Sequence, residues 1–256
     1  MNYFQSIILG IVEGATEYLP ISSTFHLIWA SIIMGIPQTE FLKAYEVIIQ
    51  GGAILAVGLL YFRTFLTNRQ LLFKTIVSFV PTATLGLLMY KIIKESFFES
   101  YEVQLVIFAL IGLFFIYFEK SNRKLNKTLE DFSYKDALII GLIQVLAVFP
   151  GVSRAGAVIV GMMYLGIKRS EAAKYSFLLA VPTLAAASIL DLYKSLPLLT
   201  TQSGNIGLLI VGFASSFVSA LFVVKWLIGY LQKNTLEYFG FYRLVVAILL
   251  YFMFIV

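Results

Sequence analysis

No cysteine occurs among the 256 residues, so disulfides and thiolate metal sites are excluded. Charge is scarce as well: Asp, Glu, Lys and Arg together make up 13%, against about 25% in ordinary soluble domains. There is a single histidine, His26, and there are six prolines. The period-two alternation of a membrane β-barrel strand is missing. The first segment has no basic start and carries acids where a secretory signal would be apolar, so no cleavable signal peptide is expected. What is present is apolar: 60% of the residues are hydrophobic and the mean hydropathy is +0.90. Near-continuous apolar runs recur, such as Leu105–Phe118, Ile206–Leu221 and Leu244–Val256. Runs of about 20 such residues cross a bilayer, and the chain is predicted to be an all-α polytopic membrane protein. Its net charge of +5 reads as membrane topology, and no nucleic-acid partner is expected.

The predicted apolar segments run over 3–34, 42–62, 71–93, 102–118, 136–167, 173–193, 205–229 and 240–256. Two of them, 3–34 and 136–167, are long and interrupted, one at Pro20-Ile-Ser-Ser-Thr and the other at Pro150-Gly-Val-Ser-Arg. A break at membrane depth frees backbone groups that only protein or a wet cavity can satisfy. Each is therefore expected to form two short helices in a re-entrant hairpin. The breaks also align with one another. Gly10-x-x-Glu13 matches Gly141-x-x-Gln144, Pro20 matches Pro150, Ser23 matches Ser153, and Tyr45-Glu-Val-Ile-Ile resembles Tyr175-Ser-Phe-Leu-Leu. One membrane domain, 1–256, built from a first repeat over 1–118 and a second over 134–256, is the expectation.

Charge placement bears on orientation. If each broken segment returns to the side it left, the connections around 63–74, 119–135, 168–174 and 225–243 share a face and carry 3, 5, 3 and 3 Lys or Arg. The opposite face has Lys43, Lys91, Lys94 and Lys194, and Arg154 alone stays within the membrane. The positive-inside rule makes the first face cytoplasmic. The two hairpins then enter from opposite sides, as in an inverted-repeat bundle with its site at the repeat interface.

Ionisable residues inside a membrane usually mark function. Glu13 and Glu17 lie one helical turn apart and share a face. Their oxygens suit a hard divalent cation, Mg²⁺ or Ca²⁺; a proton-relay pair or a structural polar patch are the other readings. The turn that follows offers Ser22, Ser23 and Thr24, which either meet substrate or satisfy the broken backbone. His26 can transfer protons near neutral pH, or be structural. Arg154 presents a fork that fits phosphate oxygens, unless it only pairs with Glu17. The helix start after Pro150 adds free N–H groups and positive dipole, and Ser153 with the backbone at Gly151 could complete a phosphate cradle. Carboxylates, a cation, a hydroxyl, a histidine and an arginine suit phosphoryl transfer, which needs positioning and charge neutralisation. Within a bilayer the substrate is expected to be a lipid phosphate or diphosphate. Glu46 and Gln50 read as supports or packing polars, the loop Glu119–Asp131 as a solvated connection, and Trp226 as an interface anchor.

The chain resembles the undecaprenyl-diphosphate phosphatase, or bacitracin-resistance, family along almost its whole length. The first family motif stands here as Glu13-Gly-Ala-Thr-Glu17-Tyr-Leu-Pro-Ile-Ser-Ser-Thr-Phe-His26, and the second as Pro150-Gly-Val-Ser-Arg154-Ala-Gly-Ala-Val158. Tyr45–Val57 and Phe177–Pro182 are also similar to family sequence. The resemblance implies a hydrolase that converts undecaprenyl diphosphate to the monophosphate and inorganic phosphate. It would recycle the peptidoglycan carrier lipid, act at the outer face of the plasma membrane, underlie bacitracin resistance and need a divalent cation. Glu13 and Glu17 are then essential acids near the metal, Ser23 and His26 the nucleophile or hydroxyl relay and its proton partner, and Ser153 with Arg154 the diphosphate-binding pair. The polyprenyl diphosphate lipid and the membrane are the implied partners, and a homodimer is compatible.

Three positions depart from the family pattern: Phe25 replaces Gly, Ala155 replaces Ser and Val158 replaces Thr. Losing a hydrogen bond to a charged group costs about 1.5–3 kcal/mol, or about ten- to a hundredfold in rate if it is expressed in the transition state. The expectation is a slower enzyme or an altered substrate, with Phe25 narrowing the pocket beside His26. A transporter or flippase that moves a phosphorylated polyprenyl lipid intact on the same scaffold is the alternative.

Overall fold

The protein was analysed as a computed structural model that describes residues 1–97, 100–121, 123–149, 151–200 and 205–255, apart from the side chains of 87, 89–97 and 197–200. Pro150, Val256 and the side chains of Lys91 and Lys94 therefore lie outside the described residues. The described chain is helical: α1 (Tyr3–Thr16), α2 (Ser23–Ile33), α3 (Glu40–Thr67), α4 (Arg69–Phe97), α5 (Tyr101–Lys120), α6 (Tyr134–Gln144), a 3-10 turn (Val145–Val148), α7 (Arg154–Tyr164), α8 (Arg169–Thr200), α9 (Asn205–Leu231) and α10 (Glu237–Phe254). Among the described residues, α3, α5, α9, α10 and the Arg169–Leu196 part of α8 are long and apolar enough to cross a membrane. The protein is an all-α, multi-pass membrane protein. Both long segments break: α1 and α2 are separated at 17–22, around Pro20, and among the described residues α6 with its 3-10 turn ends at Val148 while α7 begins at Arg154.

Polar residues at the helix starts satisfy backbone N–H groups that have no partner within the helix. Asn2 and Gln5 form a reciprocal cap on α1, and Ser133 and Asp136 do the same on α6. Thr39 and Ser100 cap α3 and α5.

The chain divides into two compact units, each of which combines helices from both sequence halves. The first is Met1–Tyr18, Ser23–Asn68 and Phe177–Trp226; the second is Leu19–Ser22, Arg69–Ser176 and Leu227–Val256. In the first, α1 crosses α9 through small residues. A Cβ on Gly10 would lie 2.3 Å from the Gly212 carbonyl oxygen, and one on Gly14 would lie 2.2 Å from that of Ser216. Membrane helices associate through such close backbone approach, since lipid supplies no hydrophobic drive between them. Here the Ser6 hydroxyl donates to the Leu208 carbonyl at 2.7 Å, and the Tyr45 hydroxyl donates to the Ser6 carbonyl at 2.9 Å.

The second unit repeats this plan with α6 and α4. A Cβ on Gly141 would lie 2.4 Å from the Ser78 carbonyl oxygen. The Ser78 hydroxyl donates to the Ala137 carbonyl at 2.6 Å, and the Tyr175 hydroxyl to the Lys74 carbonyl at 2.9 Å. Gly10 and Gly141, and Tyr45 and Tyr175, are the positions that align in sequence. In the same unit α5 meets α10 reciprocally. A Cβ on Gly112 would stand 2.9 Å from the Gly240 oxygen, and one on Gly240 would stand 2.7 Å from the Gly112 oxygen.

Three charges differ from the sequence reading. Arg243, counted with a cytoplasmic connection, lies inside α10 and is fully buried, because that helix begins six residues earlier. Lys74, counted likewise, is buried on α4 with its ammonium 6.0 Å and 5.9 Å from the ring centres of Phe132 and Tyr134. Glu119 opens a connection read as solvated, yet its side chain is 2% exposed. It accepts from the Arg169 guanidinium and, at 2.8 Å, from the Leu236 N–H. The same connection is pinned by Lys127, whose N–H donates to the Gly166 carbonyl at 3.0 Å and whose carbonyl accepts from Lys168 at 2.9 Å. Trp226 is 52% exposed, as an interface anchor requires.

Candidate active site

In the first unit the acids sit at the end of α1, on the face packed by Gly10 and Gly14. Glu13 is fully buried and Glu17 nearly so. The Glu17 N–H closes on the Glu13 carbonyl at 2.9 Å, so the two side chains leave one helical face. Tyr18 anchors this end: its hydroxyl donates to the Ala53 carbonyl at 2.9 Å, and its ring meets Phe177 edge-on at 5.2 Å. Ser23 opens α2, is buried, and donates its hydroxyl proton in a short hydrogen bond to the Glu17 carboxylate. Thr24 and His26 follow on the same helix, both half-buried. Phe25 is buried, with its ring 5.7 Å from that of His26 and 6.1 Å from that of Trp29. Its added bulk is thus taken up by packing between these rings. Glu46, on α3, is a third half-buried acid, and its Oε1 has no hydrogen-bond partner among the described residues.

The intervening turn, Leu19–Ser22, belongs to the second unit. The Ile21 N–H bonds to the Leu19 carbonyl at 2.7 Å. Ser22 is buried at φ +68°, the one non-glycine residue with positive φ among the described residues. A side chain in that region costs about 1–3 kcal/mol, and such strain gathers at functional sites.

The remaining candidates lie on the second broken segment. Gly151 takes φ +90°, and a Cβ there would press on the Gln104 oxygen at 3.0 Å and the Phe108 nitrogen at 3.2 Å. Ser153 caps α7: its hydroxyl accepts from the Gly156 N–H at 3.1 Å and donates to the Leu19 carbonyl at 3.2 Å. Ser22, Gly151 and Ser153 thus share this unit, and Ser153 ties the two turns together. Arg154 is half-buried and donates through Nη1 to the Ser176 carbonyl at 2.8 Å. Ala155 and Val158 are fully buried, so the departures from the motif fall in the packed interior of α7.

Among the described residues no three His, Asp or Glu side chains gather into a metal-binding group. Glu13, Glu17 and Ser23 offer two carboxylates and a hydroxyl. Mg²⁺ is often held by one or two carboxylates, with water and substrate phosphate completing its shell, and a buried acid pair calls for a positive counterpart. The donor set fits a hard divalent cation of that kind.

A family model described as bacitracin resistance protein BacA matches residues 6–249. The chain belongs to this family. The undecaprenyl-diphosphatase of Aquifex aeolicus (strain VF5) is 42% identical over 250 residues, covering 97% of both chains. That of Sulfurihydrogenibium sp. (strain YO3AOP1) is 44% identical over 258 residues, covering 98% of this chain and 99% of the relative. That of Bdellovibrio bacteriovorus (strain ATCC 15356 / DSM 50701 / NCIMB 9529 / HD100) is 45% identical over 260 residues, covering 98% and 97%.

Two residues of this BacA-family chain that bear on the site escaped the sequence reading. Ser176 receives the Arg154 guanidinium; its alignment with Glu46, next to the matched tyrosines, was the signal that could have found it. Arg243 donates through Nε to the Pro20 carbonyl at 3.0 Å and through Nη1 to the Gly151 carbonyl at 2.9 Å. Its signal was a lone arginine six residues beyond the start of an apolar helix.

Proposed function

We propose that the chain hydrolyses undecaprenyl diphosphate to undecaprenyl phosphate and inorganic phosphate within the membrane, and so recycles a cell-wall carrier lipid. The observation that carries the chemistry is the buried hydrogen bond from Ser23 to Glu17, in a chain whose curated relatives carry that enzyme's name. None of those names favours moving the lipid intact.

The residues have separable roles. Glu17 accepts the Ser23 proton while Ser23 Oγ bonds to the terminal phosphorus and the bridging P–O bond breaks. The monophosphate lipid leaves with the electron pair and takes up the proton from Glu17 by way of His26, which restores the Glu17 carboxylate. Water then cleaves the phosphoserine, with Glu17 as its base, and the proton returns to Ser23 Oγ. His26, one turn beyond Ser23, is the proton partner of the departing oxygen. Ser153, Arg154 and the N–H groups at the start of α7 are assigned to the diphosphate oxygens, with Ser22, Thr24 and Gly151 as further contacts. A divalent cation, Mg²⁺ or Ca²⁺, held by Glu13 and Glu17 would neutralise phosphate charge. The charge distribution supports a site opening to the outer face.

Purified protein with Mg²⁺ or Ca²⁺ is expected to release phosphate from undecaprenyl diphosphate, and the Ser23→Ala variant is not. Equal release by both would refute Ser23 as nucleophile; no release by the parent would refute the hydrolase. A phosphoenzyme trapped by rapid quench separates attack by Ser23 from direct attack by water.

A further inference from the structure

Arg243 is fully buried, and among the described residues no carboxylate forms an ion pair with it. It is held by carbonyls and rings alone. Nε reaches the Pro20 oxygen, Nη1 reaches the Gly151 oxygen and, at 3.4 Å, that of Phe108. The guanidinium carbon lies 4.7 Å from the Phe108 ring centre and 5.3 Å from that of Phe115. Nη2 is buried without a hydrogen-bond partner among the described residues. A buried cation lacking an anion is a poor way to fill space, since an apolar side chain of similar volume is usually no less stable. Its presence there points to a task other than packing.

We infer that Arg243 is a positioning residue which fixes the two broken turns against each other; its catalytic consequence rests on the hydrolase reading above. Both acceptors are carbonyls in stretches where helical hydrogen bonding has lapsed. Pro20 stands three residues before Ser23, and Gly151 three residues before Arg154. One guanidinium therefore sets the backbone just ahead of the proposed nucleophile and of the proposed diphosphate ligand. The planar fork donates to two segments in fixed directions, which the point charge of a lysine cannot reproduce. The reciprocal Gly112–Gly240 crossing explains why one arginine suffices. Three residues beyond it α5 carries Phe115 and α10 carries Arg243, and the cation rests on that ring.

The test uses full-length Arg243→Lys and Arg243→Met in nanodiscs, taking only the folded, monodisperse fraction. Two quantities are measured: kcat and KM for phosphate release from undecaprenyl diphosphate, and amide hydrogen exchange of peptides covering 17–24, 149–156 and, as reference, 40–67. Both variants are expected to lose about 10- to 100-fold in kcat with KM within about threefold. Exchange should rise in both turns and stay constant in the reference. Unchanged exchange in the turns overturns the proposal, as does full kcat in the folded fraction of either variant. A parent that releases no phosphate refutes the hydrolase reading, while the exchange data still decide whether Arg243 holds the turns.

Discussion

The two broken segments share a backbone plan and differ in the polar side chains they place on it. Each opens with a helix packed through a glycine, Gly10 or Gly141, and three residues later places a buried polar side chain. In the second segment that residue is Gln144, whose amide donates to Thr82 at 2.8 Å. In the first it is Glu13, fully buried. An amide meets the structural need at this position, so packing alone does not call for a carboxylate there. After the break the roles reverse: the first segment offers a hydroxyl, Ser23, bonded to an acid, and the second a hydroxyl, Ser153, that caps a helix beside Arg154. On the proposed reading, the first segment handles protons and the second binds the anion.

The largest effect expected is on the acid that meets Ser23. Glu17→Ala should lower phosphate release by about 10²–10⁴-fold, and activity near the parent's would break the division of roles. Arg154→Ala should cost about 100-fold in kcat/KM through lost charge-assisted bonds, with Arg154→Lys recovering only part because the fork is gone. Exchanging the matched residues sharpens the comparison further. Glu13→Gln should fall by about 10- to 100-fold in kcat while its thermal stability holds or rises, since a buried charge is removed. Its reciprocal, Gln144→Glu, should gain no activity and lose about 1–3 kcal/mol in reversible unfolding. Gly10→Ala and Gly141→Ala should each destabilise by about 1–3 kcal/mol through overpacking, and clearly unequal losses would mean that the two crossings are not equivalent. The smallest effects should come from Tyr45→Phe and Tyr175→Phe, at about 1 kcal/mol each.

Much of this was readable in the sequence because membrane helices declare themselves by hydropathy. Every apolar segment became a helix or a pair of helices, and the two breaks fell at Pro20 and beside Gly151. Glu17 and Ser23 could be placed together since only a short turn separates them. The partners of Arg154 and Glu119 could not, because Ser176 and Leu236 approach only through tertiary packing. Arg243 was misread for a simpler reason. Its nearness in sequence to a basic connection outweighed the apolar helix around it, and no local pattern records which carbonyls a buried guanidinium will meet. Nor does segment order reveal that α1 crosses α9 while α6 crosses α4.

That pairing has a consequence for how the chain is made. Ser6 and Leu208, which join α1 to α9, are 202 residues apart, and ribosomes add about 5–20 residues each second. The N-terminal helix must therefore wait roughly 10–40 s in the bilayer before its partner is synthesised. The second unit is equally incomplete until α10 emerges. The first unit thus closes only once α9 has been made and the second only once α10 has, and the acids of α1 spend that interval among other neighbours.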